Sequence, residues 1–450
     1  MNDITAFFAF LRYCLGYKGD MSSVVTGMDW QELYSFASKQ ALQGLCFEGI
    51  ERLGEEYPEK LKLNPIGREL LMTWMGKAQQ IRRQNRKVNT VASKLFSMLR
   101  EDGLRCCVLK GQGNALMYPN PYSRTPGDID VWIDASRERI MEYAQNKFEL
   151  EDDIRLQHLE TSLDGVPIEL HFFPCSMNNP IYHARLQKWF RRNTDLQCSH
   201  IVGLPDGAGD IAIPTTAFNV IYQLTHLYHH FFDEGIGMRQ IIDYFLVVND
   251  FSKNVFLNND LSNPSVSLSK GSSTSHPSPL SSEERDVTAL LCSEPLRSKD
   301  GGTSKPSPNC AGWDRLAIEE DNSAGSTTAV TSSASTALVV VQKELKYLGL
   351  WKFAGAVMYV LHEALGLSEE KMIAPMDEKR GKLLLAEILN GGNFGKHFTK
   401  YGGFTHQSMG KKYFLKIWRN MHFVRFFPAE ALSEPIFRTW HFFWRMKYKK

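Results

Sequence analysis

RTPGDIDVWI, residues 124–133, is the stretch on which the reading of the fold turns. In a strand, side chains two residues apart share a face, so here Asp128 and Asp130 project together while Ile129 and Val131 enter the core. Upstream, the helical pattern stops at Asp102-Gly103, and LRCCVLK (104–110) follows as a short run of strand formers that leads into KGQGNALMYP, a turn and a short helix. Downstream, SRERIMEYAQNKF reads as a helix and IRLQHLETSLDGVPIELHFF as a hairpin turning at Asp164-Gly165. The second strand of that hairpin carries Glu169, which alternates with Ile168 and Leu170 and so stands as one acid on an otherwise buried strand.

Further out, the period is helical. Residues 1–101 repeat apolar positions at three- and four-residue steps, and so do 213–251. Between 252 and 337 the composition turns to Ser, Thr, Pro and Gly with few large apolar residues, a segment expected to be disordered because it cannot offset its ordering entropy by burial. Helical periodicity resumes over 338–450. The expectation is an α+β chain: an N-terminal helical region (1–101), a small mixed-sheet core (102–212), a helical region packing on it (213–251), the insert (252–337) and a C-terminal helical region with a basic aromatic tail.

With 43% hydrophobic and 23% charged residues, the 450-residue chain can bury a sizeable core, and its formal charge of +2 gives no overall reason to expect nucleic-acid binding. The charge is uneven. Residues 411–450 hold ten Lys or Arg against two Glu, +8, leaving −6 for the first 410. Eight cysteines are scattered without a CxxC pair, so neither a disulfide framework nor a zinc knuckle is expected. No leader-like N-terminus and no membrane-spanning apolar run is present, and a reducing cytoplasm is the expected compartment.

Two carboxylates on one rigid edge and a third on another strand suit a hard divalent cation, because Mg²⁺ demands oxygen ligands and usually takes one or two carboxylates plus substrate phosphates. Phosphoryl and nucleotidyl transfer needs such a clamp, with two metal ions holding the attacking and leaving oxygens. Asp128, Asp130 and Glu169 are therefore the candidate catalytic and metal-ligating residues, with Glu169 also placed to accept a proton from an attacking hydroxyl. Taken alone, an Asp-x-Asp is common in surface turns. Its context is the Lys110-Gly111-Gln112-Gly113 turn, where glycines let the backbone approach phosphate and Lys110 can neutralise it. Arg124 is a further candidate phosphate ligand through its guanidinium fork, or else a solvated loop residue.

Strand, LKG turn, short helix, Arg-x-x-Gly-Asp-x-Asp strand, helix and acid-bearing strand together resemble the minimal core of the polymerase-beta-like nucleotidyltransferase superfamily. More narrowly, VLKG (108–111), RTPGDIDVWI, IELH (168–171), LTHLYHHFFDEGIGMRQIIDYF (224–245) and EILNGGNFG (387–395) resemble an uncharacterised bacterial nucleotidyltransferase family. The resemblance implies a metal triad of Asp128, Asp130 and Glu169 and a nucleotide loop holding Lys110, Gly111, Gln112 and Arg124. It implies a nucleoside triphosphate, ATP first, with Mg²⁺, two ions, and a hydroxyl acceptor: a sugar or glycan precursor, a protein or an RNA. The superfamily usually has Gly-Ser or Gly-Gly where this chain has Gly111-Gln112. A non-catalytic nucleotide-binding or scaffold protein that retains the fold is the alternative.

Two features stay open. His226, His229 and His230 have the spacing of a helical zinc site, and equally of core histidines. The C-terminal tail interleaves aromatics with basic residues, as packed helices, a peripheral membrane contact or a nucleic-acid patch would. Arg239 and Asp243, four apart, have the spacing of an intrahelical ion pair.

Overall fold

A computed structural model describes residues 4–150, 155–260, 332–397 and 408–448. Six helices come first: α1 (Ile4–Cys14), α2 (Ser22–Gly27), α3 (Trp30–Lys39), α4 (Gln43–Glu56), α5 (Pro58–Leu63) and α6 (Arg68–Glu101). The core follows as β1 (Cys106–Leu109), α7 (Gly111–Ala115), β2 (Ile129–Ile133), α8 (Arg137–Lys147), β3 (His158–Leu163), β4 (Val166–His171), α9 (Pro180–Ser199), β5 (Ile201–Leu204) and β6 (Gly209–Ala212). Helices complete the chain: α10 (Thr216–Asp233), α11 (Met238–Asp260), α12 (Ser332–Tyr347), α13 (Trp351–Leu365), α14 (Glu378–Gly391), α15 (Met409–Met421) and α16 (Pro428–Tyr448). The expected α+β class, a small mixed sheet with helices at both ends, is what forms.

The main sheet has the order β1-β2-β4-β3, with β2 and β4 parallel and the outer pairs antiparallel. Local chemistry sets each piece. Asp164 and Gly165 both take positive φ, 51° and 72°, giving the two-residue turn whose twist suits a hairpin. Ser136 caps α8 by accepting from the Arg139 N–H, and Asn179 caps α9 ahead of Pro180. One sheet face is apolar: Val108, Ile129, Val131, Ile133, Ile168 and Leu170 pack with Leu95, Phe96 and Leu99 of α6 and Ile140 and Ala144 of α8. The β5-β6 hairpin, which the sequence reading passed over, adds Leu204, Ile211 and Ala212 to this core.

The described residues up to Asn254 and from Leu338 on belong to one compact unit. Described helix runs on to Asp260 and restarts at Ser332, inside both ends of the 252–337 insert as read from composition. Polar residues do not by themselves end a helical hydrogen-bond ladder. The rest of that expectation, 261–331, lies outside the described residues. Cys14, Cys46, Cys106, Cys107, Cys175 and Cys198 are free thiols. Among the described residues no helix is long and apolar enough to cross a membrane.

The NGGNFG turn after α14 takes positive φ at Gly392 (64°), Phe394 (55°) and Gly395 (61°). It lies backbone to backbone against the α10–α11 connection: a Cβ on Gly395 would strike the Glu234 carbonyl, and one on Gly237 would come within 2.7 Å of the Asn393 Cα. That close approach carries Phe394 to His230, ring centroids 5.4 Å apart.

Candidate active site

The second face of the sheet carries the polar residues. Asp130 on β2 stands opposite Glu169 on β4, and Trp132 opposite His171. The hairpin register places His158 opposite His171 and Glu160 opposite Glu169, and β1 ends with Leu109 opposite Asp130, so Lys110 emerges beside the acid. One end of this face is closed by aromatics: Trp132 stacks on Phe218 of α10 at 6.1 Å and 12°, and Phe218 on Trp189 of α9 at 4.7 Å. The other end faces a cavity of about 660 Å³, within the range of roughly 300–1,000 Å³ usual for small-molecule sites.

Charge is tightly matched at its floor. Lys110 Nζ lies 3.0 Å from Asp130 Oδ1 and 2.7 Å from His226 Nε2. His171 Nε2 lies 3.1 Å from both Asp130 Oδ1 and Glu169 Oε2. Burial works against the Asp130 carboxylate, but Lys110 and the hydrogen bond from His171 outweigh it and hold the group well below the usual carboxylate range. Burial raises Glu169 to about 7, against the hydrogen bond from His171 and with the charge of Asp130 adding to it. His171 is raised to about 9, since its bonds to the two acids outweigh its burial. On α10, burial and then Lys110 push His226 far down, and burial takes His230 to about 3. His226 is therefore a neutral acceptor for the Lys110 ammonium, and its Nε2 lies 3.0 Å from that of His230. Lys110 itself sits at φ 51°, ψ −130°, an uncommon backbone state for a residue with a side chain and one found preferentially at functional sites.

The residues singled out from sequence are placed as follows. Asp128, Asp130, Glu169, Lys110, Gly111 and Arg124 all line the cavity. Asp128 is exposed at its mouth, while Asp130 is buried. Gln112 is not among the lining residues: it is buried, and its side chain donates to Asn89 Oδ1 on α6. α7 spans only five residues, so its dipole adds little and the positive charge at the turn is that of Lys110. Arg124 makes a bidentate pair with Asp243 of α11, at 2.9 and 2.8 Å, and its third nitrogen, Nη1, has no hydrogen-bond partner. Asp243 is thus taken by Arg124 and by Tyr118, and Arg239 donates to the Thr125 carbonyl instead of forming the intrahelical pair its spacing suggested.

Other residues of the site went unread in the sequence. His171 shares Glu169's face by the same alternation that exposed Glu169, and His158 follows from pairing outward from Asp164-Gly165; both signals were present. Less legible is the opposite wall, where Lys416, Phe437, Arg438 and His441 of the last two helices line the cavity with Phe394. Lys416 and Arg438 both pair with Asp233 of α10, at 3.1 and 2.9 Å, fastening that wall to the core. The tail is in this part a packed structure.

Carboxylates clustered against a lysine and a protonated histidine are an electronegative donor set, and the residues fit a divalent cation: its charge would take over the role that Lys110 and His171 fill. Among the described residues, however, the ligand atoms gathered within 4.8 Å of one another belong to His158, Glu169 and His171. Comparison with known proteins gives one family. A model described as an uncharacterised nucleotidyltransferase matches residues 26–262, more than half of the chain, spanning α3–α6, the whole sheet and α10–α11. No curated protein and no solved structure matches significantly.

Proposed function

The chain belongs to this nucleotidyltransferase family, and from that premise we propose that it moves a nucleoside monophosphate from a nucleoside triphosphate, ATP first, to a hydroxyl acceptor with release of pyrophosphate. The observation that carries the reading is the in-register pair Asp130 and Glu169, with Asp128 two residues ahead, on the wall of a cavity that also holds Lys110. Asp128, Asp130 and Glu169 would hold Mg²⁺, two ions, which when bound supply charge neutralisation at the transferring phosphate. Lys110 is a cation beside Asp130, placed to trade that partner for triphosphate oxygens, with His226 keeping its ammonium in position. Gly111 and the unpartnered Nη1 of Arg124 offer further phosphate contacts. Glu169 also stands where it can take a proton from the attacking hydroxyl. The acceptor is a sugar or glycan precursor, a protein or an RNA.

Thermal-shift measurements with each nucleoside triphosphate, with and without Mg²⁺, test this reading. A triphosphate with the ion is expected to raise the melting temperature, and failure of every pair to do so contradicts it.

A second surface bears on location. The outward faces of α15 and α16 expose Phe414, Trp418 and Met421 on one helix and Leu432, Ile436, Trp440 and Phe443 on the other. Both acids of these helices, Glu430 and Glu434, are buried, while Lys411 and Arg425 are exposed. An aromatic and aliphatic face edged by cations and free of exposed acids suits the headgroup region of an anionic membrane, and its aliphatic share favours lipid over stacked bases. We infer a peripheral contact there.

A further inference from the structure

The cavity floor contains nitrogen as well as oxygen donors. We propose that His158, together with Glu169 and His171, forms a divalent-metal site that takes a first-row transition-metal ion of the Mn²⁺ to Zn²⁺ series in preference to Mg²⁺. The inference rests on the reading of Glu169 as a metal ligand and names which ion that ligand shares.

Geometry makes the case. His158 Nδ1 lies 3.3 Å and His171 Nε2 3.1 Å from the same oxygen, Glu169 Oε2. The two imidazoles face each other with centroids 5.0 Å apart. All three side chains stand on the β3–β4 hairpin, His158 directly opposite His171 and Glu169 two residues before His171, so sheet hydrogen bonds fix their spacing. Asp130 Oδ1, 3.1 Å from His171 Nε2, is a fourth donor within reach.

A second observation points the same way. His158 is 7% exposed and lines the cavity, and neither ring nitrogen makes a well-aligned hydrogen bond, although Nδ1 lies 3.3 Å from Glu169 Oε2 and Nε2 3.5 Å from Glu160 Oε1. Buried polar atoms in folded proteins are nearly always hydrogen-bonded, so a buried imidazole set beside carboxylates without a well-aligned bond to them is suited to donate a nitrogen lone pair to a cation. Gln157, 3.4 Å from His171 Nδ1, would orient that ring from behind. Imidazole nitrogen suits Fe²⁺, Ni²⁺ and Zn²⁺, is accepted less tightly by Mn²⁺, which also takes oxygen, and is a poor ligand for Mg²⁺, which demands oxygen.

The test uses the full chain, stripped of metal, without nucleotide. Mn²⁺ is titrated and followed by electron paramagnetic resonance, with pulsed detection of nitrogen coupling, in wild type and His158→Gln. The expected result is Mn²⁺ bound with histidine-nitrogen coupling, affinity about tenfold or more weaker in His158→Gln, and little displacement by excess Mg²⁺. Bound Mn²⁺ without nitrogen coupling in wild type overturns the proposal while leaving the acid-based nucleotide reading intact. Nitrogen-coupled Mn²⁺ in a protein that no triphosphate stabilises keeps this site and removes that reading instead. The wild-type spectrum decides even if the variant fails to fold.

Discussion

Asp130 on β2 and Glu169 on β4 are register partners on adjacent parallel strands, bridged by the single Nε2 of His171 at 3.1 Å from each. Two acids held side by side by a sheet cannot separate to relieve their repulsion, so the site must supply positive charge. Lys110 and His171 do so in this structure.

The charge pair behind the site is expected to be structural. Asp243 receives Arg124 twice and the Tyr118 hydroxyl once, all in the interior. Asp243→Ala leaves the Arg124 guanidinium buried without a counter-charge, so a loss of about 3–5 kcal/mol is expected. Urea unfolding followed by tryptophan fluorescence reads it; an unchanged midpoint would show that the pair does not hold α11 to the Arg124 loop.

Glu430 gives stability a pH dependence of unusual sign. Its carboxyl accepts the Asn178 and Asn179 N–H groups, yet burial raises it from 4.5 to about 7. The folded state then keeps a proton that the unfolded state has released, so this contribution is fully present below pH 4.5, declines as pH rises to about 7 and is flat above. The size is about 3 kcal/mol. Glu430→Gln should remove this part of the pH dependence, so that melting temperature falls less, or rises more, from pH 5 to 7 in the variant than in wild type; parallel curves for the two proteins over that window would refute the assignment.

For the outer face of α15 and α16, co-sedimentation with vesicles containing phosphatidylserine is expected to pellet the protein, less so in high salt. Trp418→Ala with Trp440→Ala, both exposed, should lower the bound fraction severalfold without altering the melting temperature. Equal pelleting with neutral vesicles and with the double variant would dismiss the contact.

What could be read from sequence was whatever a two-residue period or a local turn encodes. RTPGDIDVWI gave β2 with Asp130 on it and Asp128 just ahead of it, and Asp164-Gly165 gave the hairpin and, through it, the face of Glu169. The same register puts His158 against His171, a step that required pairing strands and not only recognising them. Contacts across long stretches of chain left no local mark. Arg124 meets Asp243 119 residues away, so an arginine read as a phosphate ligand also proves to be half of a buried ion pair. The tail's charge was legible as a count but not as a distribution, because Lys416 and Arg438 are neutralised by Asp233 and Arg419 is buried. That left the exposed face more apolar than the count of ten cations suggested.

Transfer of label from an α-labelled nucleoside triphosphate into a fractionated lysate, with wild type and Asp128→Asn, tests the central claim most directly. Asp128 is exposed at the cavity mouth, so the variant should fold as wild type does. Wild type is expected to label an acceptor in the presence of a divalent ion, with the variant slower by about a hundredfold or more. Equal labelling by the two proteins would contradict the account.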